Sequence, residues 1–223
     1  MQRKLNKGFT LAEVLLTLVI IGIISSLTIP ALIQSTENTQ SRAAWKQAFG
    51  YLSEATILLL RDNGGTLKQI CTDGNDDDCM REKYEEYFNI IKTCEESILG
   101  DCWHPSTTTK LLNGNFSPDN WLGRSGLIIN NGAFVNFDWR NTDCNDGTGT
   151  IKRCGVIVID FNGFKKPNIW GKDTFCAEVL ENKLIPCGAP GTFEYVNNYT
   201  CIEGDTAVKN DGVVCATKYL LNQ

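Results

Sequence analysis

The sequence predicts an α+β protein: a long N-terminal α-helix, membrane-spanning in its first half, packed on an antiparallel β-sheet head rich in disulfides. Three observations predict it. An uncharged apolar run fills Val14–Thr36, an amphipathic stripe continues from Trp45 to Leu59, and strand-like runs follow in series after residue 125. Ten cysteines are dispersed through the later part of the chain, none before Cys71.

The first element is the apolar helix. Residues before Phe9 are polar and basic, with Arg3, Lys4 and Lys7 and no acid. From Phe9 to Ile33 the chain is long enough to cross a bilayer, which needs ~20 residues. The basic flank places the N-terminus in the cytoplasm. A cleavable secretory signal would have a shorter apolar stretch and a small-residue site after it, and no Ala-x-Ala-like site follows this run. Glu13 stands out, because a carboxylate at the edge of a membrane helix is costly unless it has a task.

The helix is expected to continue into the head. Trp45, Phe49, Leu52, Thr56 and Leu59 recur at helical spacing, with Ala48, Tyr51, Ala55 and Leu58 beside them. Asp62-Asn63-Gly64-Gly65 is the stop signal. A helix from Phe9 to about Arg61 would be roughly 80 Å long at 1.5 Å per residue. Pro30 lacks a backbone donor and is expected to bend or loosen it. The chain then divides into a membrane helix over 9–35, an amphipathic continuation over 36–65 and a globular head over 66–223.

Within the head, residues 66–120 read as an insertion of turns and cysteines with one short helix, marked by Tyr84, Tyr87, Phe88 and Ile91. The acidic run Asp73–Asp78 reads as a solvated loop, since it lacks the spacing and closing Glu of a calcium loop. Gly126–Ile129 and Ala133–Asp138 around Asn130-Asn131-Gly132 form a hairpin. Gly155–Phe161 is the strongest strand and Thr174–Val179 another. Val213–Leu221 fits a helix or a strand equally.

The cysteines are Cys71, Cys79, Cys94, Cys102, Cys144, Cys154, Cys176, Cys187, Cys201 and Cys215. No two are spaced C-x-x-C, so neither a thioredoxin-like motif nor a zinc ribbon is present. The even count predicts disulfides in an oxidising compartment. Spacing cannot fix connectivity, but Cys71–Cys79, Cys94–Cys102 and Cys144–Cys154 each span a turn-rich segment and are the expected local pairs.

Composition narrows function. With 21 basic and 26 acidic residues the net charge is −5, against a nucleic-acid binder. A single histidine, His104, excludes paired-histidine zinc sites and mechanisms. Gly123-Arg124-Ser125-Gly126 is out of register for a nucleophile elbow, and no phosphate-cradling Gly-rich motif occurs, so no enzyme is expected. His104 reads as a loop residue beside a disulfide. Trp103, Trp121, Trp139 and Trp170 would either pack in the core, the more frequent use of Trp, or line a carbohydrate- or surface-binding patch.

Lys7-Gly8-Phe9-Thr10-Leu11-Ala12-Glu13-Val14-Leu15 resembles the N-terminal signal of type IV prepilins and type II secretion pseudopilins. The resemblance implies a leader over 1–8, cleavage between Gly8 and Phe9 by a membrane prepilin peptidase, and N-methylation of Phe9. It implies that Glu13 meets the new amine of a neighbouring subunit during assembly, and it places Pro30 where many members kink. It further implies a bacterial inner-membrane protein with its head outside, an assembly platform, filament partners of the same kind, and a periplasmic or surface filament. A structural subunit is the leading expectation, and a low-abundance tip or minor pilin with a ligand-binding head is the alternative. The signal does not separate secretion, adhesion, motility and DNA-uptake filaments. A second, looser resemblance joins Asp160-Phe161-Asn162-Gly163 to Gly171-Lys172-Asp173-Thr174-Phe175, similar to a strand-loop-strand element of pilin-like heads. No cofactor is expected, except that Asp160, Asn162 and Asp173 form a candidate calcium set. The competing reading is that they cap turns.

Overall fold

The computed structural model describes residues 8–95, 98–145 and 152–221, with backbone alone for residues 31 and 33–38. Two compact units, Met1–Gln40 and Ser41–Gln223, divide the chain. Helix α1 (Leu11–Asp62) contributes to both. Of the expected leader, only Gly8 lies within the described residues.

The first unit is helix. Its Leu11–Pro30 stretch has a mean hydropathy of 2.3, is long and apolar enough to cross a membrane, and has no buried residue. α1 runs unbroken past Pro30, although proline withholds the N–H that would bond Ser26. Ser26 and Thr28 turn their hydroxyls back onto the carbonyls of Ile23 and Ile24, hiding polar groups that lipid could not satisfy.

In the second unit, α1 buries Trp45, Ala48, Leu52, Ala55, Thr56 and Leu59, the stripe that periodicity marks, while Tyr51 stays exposed. Trp45 stacks on Phe175 at 5.0 Å and donates its indole N–H to the Ala216 carbonyl at 2.8 Å. Thr56 is buried at no net polar cost, because its hydroxyl bonds the Leu52 carbonyl and lies 3.0 Å from the Tyr84 hydroxyl.

The sheet is an antiparallel meander of six strands in sequence order: β1 (Ile90–Cys94), β2 (Ser125–Ile129), β3 (Phe134–Trp139), β4 (Gly155–Asp160), β5 (Thr174–Val179) and β6 (Leu184–Pro186). Gly132, at φ +85°, closes the β2–β3 hairpin in a conformation that a side chain resists. Cross-strand pairing sorts the central residues onto two faces. Val135, Phe137, Ile157, Ile159, Phe175 and Ala177 share the face on which Trp45 packs, and all are buried. Asn136, Asp138, Val156, Val158, Asp160, Thr174, Cys176 and Glu178 share the other.

Several expectations change. The short helix is α2 (Asp77–Glu85), so Tyr87 and Phe88 lie beyond it and Ile91 sits on β1. The helical spacing of those aromatics is coincidental; the informative signal is the acidic run. Asp76 caps α2 by accepting from Cys79 N at 2.9 Å, and Asp77 and Asp78 fill the first turn, where the helix dipole favours anions. Asp77 also accepts from the backbone amides of Arg124 and Trp139, pinning α2 to the sheet. The run is thus an exposed turn over residues 73–75, as a solvated loop would be, and a helix start from Asp76 onward. Buried Arg81 completes the attachment with Ser125 at 2.7 Å and Glu85 at 2.6 Å. Residues 66–120 also supply an edge strand, β1, that alternation does not reveal because Lys92 and Thr93 interrupt it. The C-terminal segment resolves as a helix, α4 (Cys215–Leu221), preceded by the single turn α3 (Phe193–Val196).

All ten cysteines are paired: Cys71–Cys79, Cys94–Cys102, Cys144–Cys154, Cys176–Cys187 and Cys201–Cys215. Every bridge is local, with separations of 8 to 14 residues, so each contributes up to about 3 kcal/mol by restricting the unfolded chain.

Candidate functional site

Two regions carry chemistry. The first is the start of α1. Thr10 precedes the helix, and its hydroxyl accepts from Glu13 N at 3.3 Å. The Glu13 carboxylate in return accepts from Thr10 N and the Thr10 hydroxyl, both at 2.8 Å. This is a reciprocal capping box, and it satisfies donors that a helix start otherwise leaves open. Sequence reasoning singles out Glu13 for its charge and misses the cap, although Thr-x-x-Glu before an apolar run is its signature. Phe9 is 89% exposed, so Gly8 and Phe9 stand clear of the helix as a short segment ahead of its first turn.

The second region is the polar face of the sheet. Three central strands each place a carboxylate there, and each carboxylate meets a cationic or titratable partner. Asp138 pairs with Arg140, Asp160 lies 2.9 Å from His104 Nε2, and Glu178 pairs with Arg153 at 3.1 Å. Asp160 and Glu178 are fully buried. A short polar link holds a covering segment against this face: Glu178 accepts from Phe193 N at 3.2 Å. Charged residues inside otherwise apolar strands, Asp138 in Phe134–Trp139 and Glu178 in Thr174–Val179, are the sequence signal for this face.

The candidate calcium set is brought together as a capped loop. Asp160 Oδ1 accepts from Asn162 N, and Oδ2 accepts from Thr174 and meets His104. Asp173 takes the amides of Asn168 and Ile169 at 2.7 Å each and the Asn162 side-chain amide at 3.2 Å. Every carboxylate oxygen of the pair therefore holds an internal contact, the arrangement that capped turns require. Among the described residues no cluster of three His, Cys, Asp or Glu side chains is placed to hold a metal.

His104, expected in a loop beside a disulfide, is there but fully buried as the partner of Asp160. The tryptophans divide. Trp103, Trp139 and Trp170 are core, and only Trp121 is partly exposed; it meets Trp170 edge to face at 6.2 Å on the wall of a cavity over the polar face.

Burial shifts these carboxylates. It pushes Asp160, Asp138 and Glu194 up, and raises Asp173 to about 6, with the Asp160 charge adding to it. Glu178 and Asp211 are each raised to about 7, mainly by burial and further by the Glu194 charge. Between the ordinary carboxylate range and these values, the folded head holds protons that the unfolded chain has released. Stability therefore falls as pH rises through that window. Thermal melts of the full-length protein in detergent should show a midpoint that rises from pH 8 to pH 5.5. The gain should be on the order of a few kcal/mol, because each tenfold rise in proton affinity on folding is worth about 1.4 kcal/mol. A midpoint that falls on acidification across this range would contradict the burial of these groups.

Residues 3–29 match the family model described as the prokaryotic N-terminal methylation motif. The chain therefore carries the prepilin-type cleavage and methylation signal of type IV pilins and pseudopilins, and is pilin-like at its N-terminus. No curated protein and no solved structure shows detectable similarity to it. The signal implies processing by a prepilin peptidase, assembly with other pilins and membrane anchoring through the apolar helix.

Proposed function

We propose that the chain is a structural subunit, a pilin or pseudopilin, of a type IV pilus or type II secretion filament. The observation that carries the reading is the methylation motif lying on a helix that is apolar and exposed over Leu11–Pro30 and capped by Glu13. A helix with this much unburied apolar surface needs a lipid or protein environment, and successive membrane and filament environments both supply one. In this reading residues 1–8 are a leader removed between Gly8 and Phe9, and Phe9 is then N-methylated. Residues 9–35 form the filament core, with Pro30 its weak point, 36–65 carry the helix into the head, and 66–223 are the head. Glu13 neutralises the Phe9 amine of a neighbouring subunit, since either charge alone is costly in a packed helical bundle.

Five disulfides support a head outside the cytoplasm, so the chain sits first in the bacterial inner membrane with its N-terminus inside. An assembly platform there then passes it into a filament in the periplasm or at the surface. The cavity over the polar face favours a second reading, a minor or tip subunit whose head binds a ligand. Shearing cells and quantifying the chain in the filament fraction tests the proposal. A major subunit dominates that fraction, a tip subunit is present but scarce, and complete absence, with surface filaments, secretion and DNA uptake unchanged by deletion of the gene, would overturn both.

A further inference from the structure

The head holds a cavity of about 320 Å³ over its polar sheet face, within the size range of small-molecule sites. Its lining combines aromatic rings with charged groups whose signs do not balance. Arg140 is engaged by Asp138, and Arg153 by Glu178. The two remaining lining carboxylates, Glu194 and Asp211, have no cation within ion-pair distance among the described residues. Asp211 is only 2% exposed, and its Oδ1 accepts the Val213 amide, a neutral donor. Glu194 Oε2 is buried without a hydrogen-bond partner. The Arg153 charge reaches Glu194 at longer range, yet burial still raises both carboxylates, so each is costly to keep ionised unless a closer counter-charge arrives.

The walls indicate what kind of counter-charge fits. Trp121, Trp170 and Tyr199 line the cavity. Trp170 is only 2% exposed, gives its indole N–H to Ser117 at 3.1 Å and meets Trp121 edge to face, so it backs the wall while the part-exposed Trp121 and Tyr199 present rings to the cavity. Arg153 lies 5.7 Å from the Phe193 ring centre, so one cation already rests on an aromatic at this rim. Against one unpartnered lining donor, Arg153 Nε, stand the unpartnered Glu194 Oε2 and the charge of Asp211, which no cation among the described residues pairs. A neutral polyol needs donors and acceptors in comparable number. An excess of acceptors beside aromatic faces suits a ligand that brings only donors or positive charge.

We infer that this cavity binds a small organic cation, an alkylammonium group seated against Trp121 and Tyr199 and neutralised by Asp211 and Glu194. The inference concerns the head alone and stands or falls separately from the filament reading.

The test uses the full-length protein in polyoxyethylene-ether micelles, titrated with choline, with butylamine, and with 3,3-dimethyl-1-butanol, the neutral isostere of choline. Saturable change in tryptophan emission is expected with at least one of the two cations and not with the alcohol. Binding should weaken about tenfold from pH 8 to pH 6, because Asp211, faced by Glu194 and Tyr199, takes up a proton in that range. Asp211→Asn should weaken binding at least about tenfold and flatten the pH dependence. That change removes a costly buried charge at nearly constant size, so it leaves the fold in place. Glu194→Gln provides an independent second variant with the same expected loss. The inference is overturned if neither cation gives a saturable response, if the neutral alcohol or glucose binds as well as the cations, or if both variants bind like the parent.

Discussion

Asp160→Ala should destabilise the head by about 3–5 kcal/mol, the scale of orphaning several buried hydrogen-bonding groups at once. The carboxylate is fully buried and serves His104, the Thr174 hydroxyl and the Asn162 amide together. Alanine leaves these groups without their partner in a site that water does not reach, and each orphaned group costs about 1–3 kcal/mol. A turn cap alone would account for only about 1 kcal/mol. For a head of this size the expected loss lowers the melting midpoint by roughly 10 °C. Glu181→Ala, which removes a half-exposed partner of Lys68, is the control and should cost less than about 1 kcal/mol. The loss at Asp160 should be the same in chelator and in millimolar calcium, since internal donors occupy its oxygens. A loss under about 1 kcal/mol would contradict the buried pair. A calcium-dependent midpoint abolished by the substitution would restore the metal reading.

The second large effect is expected at Glu13. Its carboxylate has two tasks, capping α1 through Thr10 and, in the proposed filament, neutralising a neighbour's amine. Glutamine keeps the capping geometry and removes the charge, whereas alanine removes both. Neither change should lower the amount of protein in the membrane, because losing a carboxylate eases transfer into lipid. If charge pairing drives assembly, both variants should reduce sheared filament by about tenfold or more, as expected for an uncompensated buried charge. Filament loss with Glu13→Ala but not with Glu13→Gln would assign Glu13 to the cap alone. Normal yield from both would remove it from assembly.

The contrast between Glu13 and the head shows which features a sequence makes legible. Local patterns are readable: the Trp45–Leu59 stripe, the β2–β3 hairpin, β4 and β5, and the start of the apolar helix each depend on neighbours a few residues away. Short disulfide loops are readable for the same reason, since Cys71–Cys79 closes within one turn-rich segment. What escapes depends on distant partners. His104 gives no sign that it will meet Asp160, 56 residues away, and Glu178 none that Arg153 will cover it. β6, three residues long and ending in Pro186, is too short for alternation to register and exists because β5 offers it an edge. The acidic run misleads for a different reason. Its helix-starting role is local and available, but charge density draws attention away from the capping position of Asp76.

A chain processed as a prepilin carries the mark of that processing at its N-terminus, which can be read on protein purified from membranes. Mass spectrometry should find a mature chain that begins at Phe9 and carries one added methyl group on its amine. Cutting there removes Arg3, Lys4 and Lys7 while leaving the apolar helix and Glu13 in place. A mature start near residue 30 would mean that an ordinary secretory signal had been removed with the helix, and an uncut N-terminus would mean a plain membrane anchor. Either result would contradict the account.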